Sequence, residues 1–180
     1  MTQIQDIPLT SINGSPASLS DHAGTVLLVV NVASQCGLTP QYTELEQVFE
    51  TYRDRGFAVL GFPANNFGAQ EPGTDDEIVQ FCSTNYSVQF PMFSKISVVG
   101  DDQHPLYAAL TAAAPRAEGD PDGFRERLVG FGMSPNNDPD ILWNFEKFLI
   151  GRDGEVLARF APTRAPTDPA LVAAIEAALG

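Results

Sequence analysis

Positive charge is scarce in this chain. Lys95 and Lys147 are its only lysines, the ten basic residues face 23 acidic ones, and the formal net charge is −13 at pH 7. Such a surface repels phosphate backbones and anionic headgroups, so nucleic acid is not an expected partner. Long apolar runs are missing too. None reaches the roughly 20 residues that a membrane-crossing helix needs, and the opening MTQIQDIPLTSINGSPASLS has neither a basic start nor an uninterrupted apolar stretch. We therefore expect no membrane insertion and a cytoplasmic location. Histidine is limited to His22 and His104, neither at metal-ligand spacing from a cysteine or from the other. No metal, no cofactor and no Cys-His hydrolase is expected on that basis. Two cysteines, Cys36 and Cys82, are too few for the disulfide framework of a small secreted protein, and a reducing compartment would keep both as thiols. Their chemistry, more than their number, has to be explained.

What is present reads as one α/β domain over residues 1–180, since 43% hydrophobic residues at this length suffice for one substantial core. Asn13-Gly14 between short alternating segments predicts an N-terminal hairpin. Thr25 to Ala33, TVLLVVNVA, is too apolar for a strand with one wet face and belongs centrally in a sheet covered on both sides. Thr39 as cap and Pro40 as first helical residue open a helix in which Tyr42, Leu45, Phe49 and Tyr52 recur at helical spacing before Gly56. FAVLGF, residues 57–62, returns as a buried strand and completes a β-α-β unit with a right-handed crossover and parallel strands. TDDEIVQFCSTNY is a second helix capped by Thr74, with Ile78, Phe81 and Cys82 on its apolar face; the acidic run EPGTDDE reads as its start. Phe90 to Val99 is expected as a further strand and HPLYAALTAAA as a short helix stopped by Pro115. Residues 114–140 turn to Pro, Gly, Asp and Asn, a stretch long enough to be either a functional flap or partly mobile. FEKFLI, the turn GRDG and EVLARFAP make an antiparallel hairpin, followed by a terminal helix with Leu171, Ile175 and Leu179 on one face. This order is that of a thioredoxin-like fold: a central mixed sheet flanked by helices, with an N-terminal hairpin and an inserted helix and loop.

The stretch NVASQCGLTP sets Cys36 where a buried strand ends and a helix is about to begin. In an open sheet, loops leaving the carboxyl ends of strands form the binding crevice, and the following helix points unpaired N–H groups into it. The partial positive charge at that helix start stabilises a thiolate without a neighbouring lysine or histidine. A buried free cysteine can instead serve as a small hydrophobe. Here Ser34, Gln35, Gly37 and Thr39 around it mark a turn in a site-bearing loop.

Four segments, NVASQCGLTPQY, GFPANNFGAQEPG, FPMFSKI and ILWNFEKFLIGRDG, resemble the glutathione peroxidase family in its cysteine-containing branch, and the resemblance extends over almost the whole chain. It implies a peroxidatic role for Cys36, in the place where other members carry selenocysteine, with Gln70, Trp143 and Asn144 completing the site. The residue types suit that chemistry. Attack of a thiolate on an O–O bond loads charge onto the departing oxygen, and neutral N–H donors stabilise both species without competing as nucleophiles. Taken singly, Gln70 could cap a loop, Asn144 could serve a turn and Trp143 could fill the core.

The resemblance also implies that Cys82 is a resolving cysteine, attacking oxidised Cys36 to leave a disulfide that thioredoxin reduces. Some relatives carry a cysteine after the phenylalanine-proline of the second segment; here that position is Ala64, so only Cys82 can resolve within the chain. A disulfide needs Cα atoms within about 7 Å, and a helical Cys82 across a crevice from Cys36 should reach it only after local unwinding of residues 74–86. The acidic surface disfavours anionic glutathione and favours thioredoxin, unless Arg116, Arg125 and Arg127 form a basic patch. The expected function is a thiol peroxidase reducing hydrogen peroxide and organic hydroperoxides through a Cys36 sulfenic acid and a Cys36–Cys82 disulfide. The alternatives are a redox relay that passes oxidation to a partner protein, or a peroxidase using glutathione or another small thiol. A monomer is preferred to a homodimer.

Overall fold

The computed structural model describes residues 3–180, so the first two residues of the expected domain lie outside it. The N-terminal hairpin forms as β1 (Leu9–Thr10) and β2 (Pro16–Ala17), antiparallel around a turn in which Gly14 takes a φ of 91°. A four-stranded mixed sheet holds β3 (Val26–Val32), β4 (Phe57–Pro63), β5 (Lys147–Ile150) and β6 (Val156–Phe160) in the order β4-β3-β5-β6. β3 runs parallel to β4 and antiparallel to β5, so it is central, and every one of its residues is buried.

Helix α1 (Gln41–Tyr52) connects β3 to β4 and buries Tyr42, Leu45, Val48 and Phe49 against the sheet. It starts one residue later than its sequence signals predict. Pro40 occupies the cap position, and Thr39, expected as the cap, uses its hydroxyl elsewhere. Helix α2 (Asp75–Tyr86) begins at Thr74 with the expected capping box, Thr74 and Glu77 satisfying one another's backbone N–H groups. Helix α3 (Pro105–Ala113) takes its cap from His104, whose Nδ1 accepts the Leu106 N–H at 3.0 Å. Helix α5 (Pro169–Leu179) buries Leu171, Ile175 and Leu179. One apolar cluster runs through the sheet and these helices, from Ile7 to Leu179.

One expectation fails, and one stretch holds more regular structure than expected. Residues 90–99 form no ladder strand; their strand-like pairing is confined to isolated bridges, Met92 with Gly61, Ile96 with Ala64 and Phe93 with Ser11. Pro91 has no N–H to contribute; the Phe93, Ser94 and Ile96 N–H groups reach the carbonyls of Gly61, Thr10 and Pro63, each at 2.9 Å, while side chains take the Lys95 N–H (Asp75, 3.0 Å) and the Val98 N–H (Asn66, 2.8 Å), so no continuous ladder forms. The stretch 114–140 also holds a helix, α4 (Pro121–Gly130). Asp120 caps it, Pro121 opens it, and Phe124 and Leu128, one turn apart, bury against Leu142. Start signals and an apolar pair are present in the sequence, but Gly123 and Gly130 within a Pro- and Asp-rich stretch mask them.

Candidate active site

Asn31 is the one polar side chain in β3, and it organises the site from below. Its backbone carbonyl accepts the Phe145 N–H at 2.7 Å, and its side-chain Nδ2 donates to the Trp143 carbonyl at 3.1 Å. These two bonds bracket Asn144, and Phe145 accepts a φ of 69° to complete the bend. The strand that delivers Cys36 therefore also fixes the Trp-Asn pair, although more than a hundred residues separate them in sequence.

Beyond β3 the chain turns at once. The Cys36 N–H donates to Thr39 Oγ1 at 2.9 Å, the Thr39 hydroxyl donates to the Ala33 carbonyl at 2.8 Å, and the Thr39 N–H returns to the Cys36 carbonyl at 3.0 Å. Thr39 is thus a brace for the cysteine turn. The thiol receives one N–H, from Leu38, at 3.3 Å from Sγ. The first amides of α1 do not point at the sulfur as a free helix start would, because Gln41, Tyr42 and Thr43 donate to the carbonyls of Leu38, Thr39 and Pro40. The turn itself supplies the donor, and the helix contributes its direction. Cys36 is free and only 8% exposed.

The loop after β4 brings Gln70 alongside. The Gln35 N–H donates to the Gln70 carbonyl at 3.0 Å, tying that loop to the residue preceding Cys36. Asn144 Nδ2 donates to Gln70 Oε1 at 3.0 Å and lies 3.5 Å from the Phe67 carbonyl. With its oxygen engaged in this way, Gln70 has its NH2 group left to donate elsewhere. Asn144 is fully buried, and its Oδ1 has no hydrogen-bond partner. Trp143 is half-buried, its ring 5.5 Å from that of Phe67. The two line an open crevice of about 370 Å³ with Gly68, Met133, Asn136 and Leu142. The Gln70 loop and the Trp143-Asn144 bend are thus both tied to the end of β3 from which Cys36 turns off.

Cys82 lies on the inner face of α2, free and buried. Burial pushes its thiol up to about 11; the nearby Tyr42 side chain opposes this and the charge of Glu71 adds to it. At neutral pH it is a thiol. Glu71 was expected only as part of the acidic start of α2, yet it is 1% exposed, the most deeply buried residue of that run.

Sequence reasoning also missed a buried ion pair beneath the Trp-Asn bend. Arg159 on β6 pairs with Glu146, whose Oε1 accepts the Leu142 N–H at 2.9 Å. The same guanidinium donates to the carbonyls of Ala114, Pro139 and Asp140 at 2.9, 2.8 and 3.1 Å. No spacing rule reveals this, because its acceptors are backbone oxygens. Arg116 and Arg125, considered as part of a basic patch, are instead paired: Arg116 with Asp122 and Asp138 at 2.9 and 2.8 Å, Arg125 with Asp122 at 2.7 Å. Arg127 lies over the Phe124 ring at 5.3 Å.

Residues 4–111 match the family model described as glutathione peroxidase. The chain is 53% identical to the thioredoxin/glutathione peroxidase BtuE of Escherichia coli over 98% of its own length and 99% of that protein. It is 46% identical to the hydroperoxy fatty acid reductase gpx1 of Synechocystis over 88% of its length and 86% of that protein. Its fold superposes on the crystal structure of Trgpx in apo form with a TM-score of 0.71 at 36% identity, covering 99% of this chain and 97% of that one.

Proposed function

The chain belongs to the glutathione peroxidase family and is a thiol peroxidase, and from that premise we propose that Cys36 is its peroxidatic residue, served by Gln70, Trp143 and Asn144. The observation that carries this reading is the junction at the end of β3. There the Leu38 N–H meets Sγ at 3.3 Å, the Gln70 loop is tied to Gln35, and Asn144 is bonded to Gln70 at 3.0 Å. The Cys36 thiolate attacks the terminal peroxide oxygen, the O–O bond breaks, and the leaving oxygen departs with a proton as water or an alcohol while Cys36 becomes a sulfenic acid. The donors act where charge develops on the departing oxygen, in a site largely closed to water. The crevice beside Trp143 receives the organic part of a hydroperoxide, since Phe67, Met133, Leu142 and Trp143 give it apolar walls.

Cys82 then attacks the sulfenic sulfur, and the resulting disulfide is reduced by thioredoxin. Two observations support that reductant over glutathione. Arg116 and Arg125, which could have held the tripeptide's carboxylates, are occupied by Asp122 and Asp138. A second buried thiol also stands within the chain. The name of the E. coli relative, a thioredoxin/glutathione peroxidase, agrees with a thiol reductant. Residues 1–180 act as a single domain, as a monomer in the cytoplasm. The test is steady-state consumption of hydrogen peroxide with thioredoxin and its reductase against consumption with glutathione. We expect sustained turnover with thioredoxin; equal or faster turnover with glutathione would displace thioredoxin from the cycle. A single turnover with either would make the protein a relay.

A further inference from the structure

Between the Cys36 turn and α2 lies a second cavity, about 200 Å³, lined by Ser34, Gln35, Glu71, Glu77, Ile78 and Phe81. It sits where the resolving sulfur has to travel. Ser34 and Gln35 immediately precede Cys36, and Ile78 is one turn from Cys82 on the same buried face of α2. Glu71 forms part of its wall. The backbone of Glu71 is fixed at both ends: its N–H donates to Asn65 Oδ1 at 2.8 Å, and its carbonyl accepts from Lys95 Nζ at 2.9 Å. Its carboxyl lies within reach of the Ser34 hydroxyl and N–H, but neither Glu71 Oε2 nor Ser34 Oγ, both buried, makes a hydrogen bond of normal geometry. A carboxyl at 1% exposure without well-formed hydrogen bonds is costly to keep, and such a group marks a candidate functional position.

Resolution poses a proton problem that this residue can solve. Cys82 must lose a proton to become a nucleophile, and the hydroxyl leaving Cys36 must gain one. We propose that Glu71 carries the proton in disulfide formation. Its carboxylate takes the Cys82 thiol proton as that sulfur attacks the Cys36 sulfenic acid, the S–O bond of Cys36 breaks as the S–S bond forms, and Glu71 returns the proton to the departing hydroxyl, which leaves as water. Nothing is oxidised or reduced beyond the two sulfurs, and the carboxylate ends as it began. This step rests on the reading of Cys36 and Cys82 given above. The other groups around Glu71 do not serve as the base. Tyr42 is held well above its ordinary value by burial, Lys95 is committed to the carbonyls of Glu71 and Gly73, and Glu77 is engaged in capping α2. Burial also raises Glu71 above the ordinary carboxylate range, with Ser34 and the Lys95 charge opposing, which brings its affinity for a proton closer to that of the thiol it serves.

The experiment is rapid mixing of the full reduced chain with one equivalent of hydrogen peroxide, comparing wild type, Glu71→Gln and Glu71→Asp. Peroxide loss, dimedone-trapped sulfenic acid and intramolecular disulfide are followed separately. We expect Glu71→Gln to consume its equivalent within threefold of the wild-type rate, to accumulate sulfenic acid, and to form the disulfide roughly 100-fold more slowly. Glu71→Asp should recover part of that loss. Disulfide formation in Glu71→Gln within threefold of wild type overturns the proposal. So does loss of the first step as well, which would make Glu71 a support for Gln70. Absence of Cys36 sulfenic acid in wild type instead overturns the peroxidatic assignment. Should Glu71→Gln not fold, the wild-type pH profile decides. With Ser34, Tyr42, Glu77, Cys82 and Lys95 facing Glu71, disulfide formation should fall as pH drops through protonation of one carboxyl and stay level above it. A rate that climbs tenfold per pH unit towards the alkaline thiol overturns the proposal.

Discussion

The two cysteines occupy opposite kinds of ground. Cys36 follows a strand whose seven residues are all buried, in a turn closed by three hydrogen bonds to Thr39. Cys82 belongs to a twelve-residue helix that buries only itself and Ile78, leaves Val79 41% exposed and ends on Ser87 with a φ of 51°. Rigid surroundings suit the role proposed for Cys36, in which a sulfur meets a peroxide and three donors within tenths of an ångström. A lightly anchored helix suits a sulfur that must leave its place, since segments with few buried apolar contacts open at low free-energy cost. The difference in packing thus agrees with the proposed order of events, in which the sulfur that waits is held and the sulfur that moves is tethered.

Removing the held sulfur should have the largest effect. Cys36→Ser should abolish peroxide reduction while the circular dichroism spectrum and melting temperature stay near wild type; activity within tenfold of wild type would refute the assignment. Removing the tethered one should separate the two halves of the cycle. Cys82→Ser should still consume about one equivalent of peroxide rapidly, leave a trappable sulfenic acid, and lose turnover with thioredoxin. Normal turnover would return Cys82 to a packing role. Next come the donors on the rigid side: Gln70→Ala and Trp143→Phe should slow the first oxidation by roughly 10- to 1000-fold without altering the rate of disulfide formation once the sulfenic acid exists. A slowed second step would merge the two regions into one.

The smallest effect sharpens the contrast most. Thr74→Ala removes the capping box of α2, worth about 1 kcal/mol, and should speed amide exchange across residues 75–86 and accelerate disulfide formation by about fivefold. It should leave the first oxidation untouched. Thr39→Val, the corresponding change on the rigid side, should do the reverse, slowing peroxide attack by loosening the Cys36 turn. Identical responses to both changes would dissolve the distinction.

How much of this was legible in sequence depended on the range of the forces involved. β3, α1, β4 and α2 are written locally, in apolar runs, spacing and caps, and they form within a residue or so of expectation. The candidate residues stood out by family resemblance, and what brings them together is long-range: Asn31 reaching Trp143, and Arg159 collecting carbonyls. Asn31 did leave a trace, as a lone polar residue inside a buried strand. Arg159 left none, because any residue supplies a backbone oxygen. Glu71 was misread because an acidic residue before a helix is ordinarily a surface feature. Its burial follows from the Asn65 and Lys95 bonds that turn the loop inward.

The guanidinium of Arg159 has an evolutionary reach. It grips Ala114 at one end of the inserted stretch and Pro139 and Asp140 at the other, while the neighbouring Glu118 N–H bonds the Arg159 carbonyl at 2.7 Å. The base of the insertion is therefore buckled shut, and what lies between the clasped ends, α4 and the turn carrying Phe131 and Met133, is a replaceable cassette. Closing a longer or shorter loop over a fixed stem changes its entropy only slowly with length. Phe124 and Leu128 of this cassette pack on the same apolar cluster as Leu38 and Trp143, and Met133 walls the crevice. Exchanging residues 119–138 would therefore alter the walls of the crevice while leaving the Cys36 turn and the Trp143-Asn144 bend, held from β3, in place.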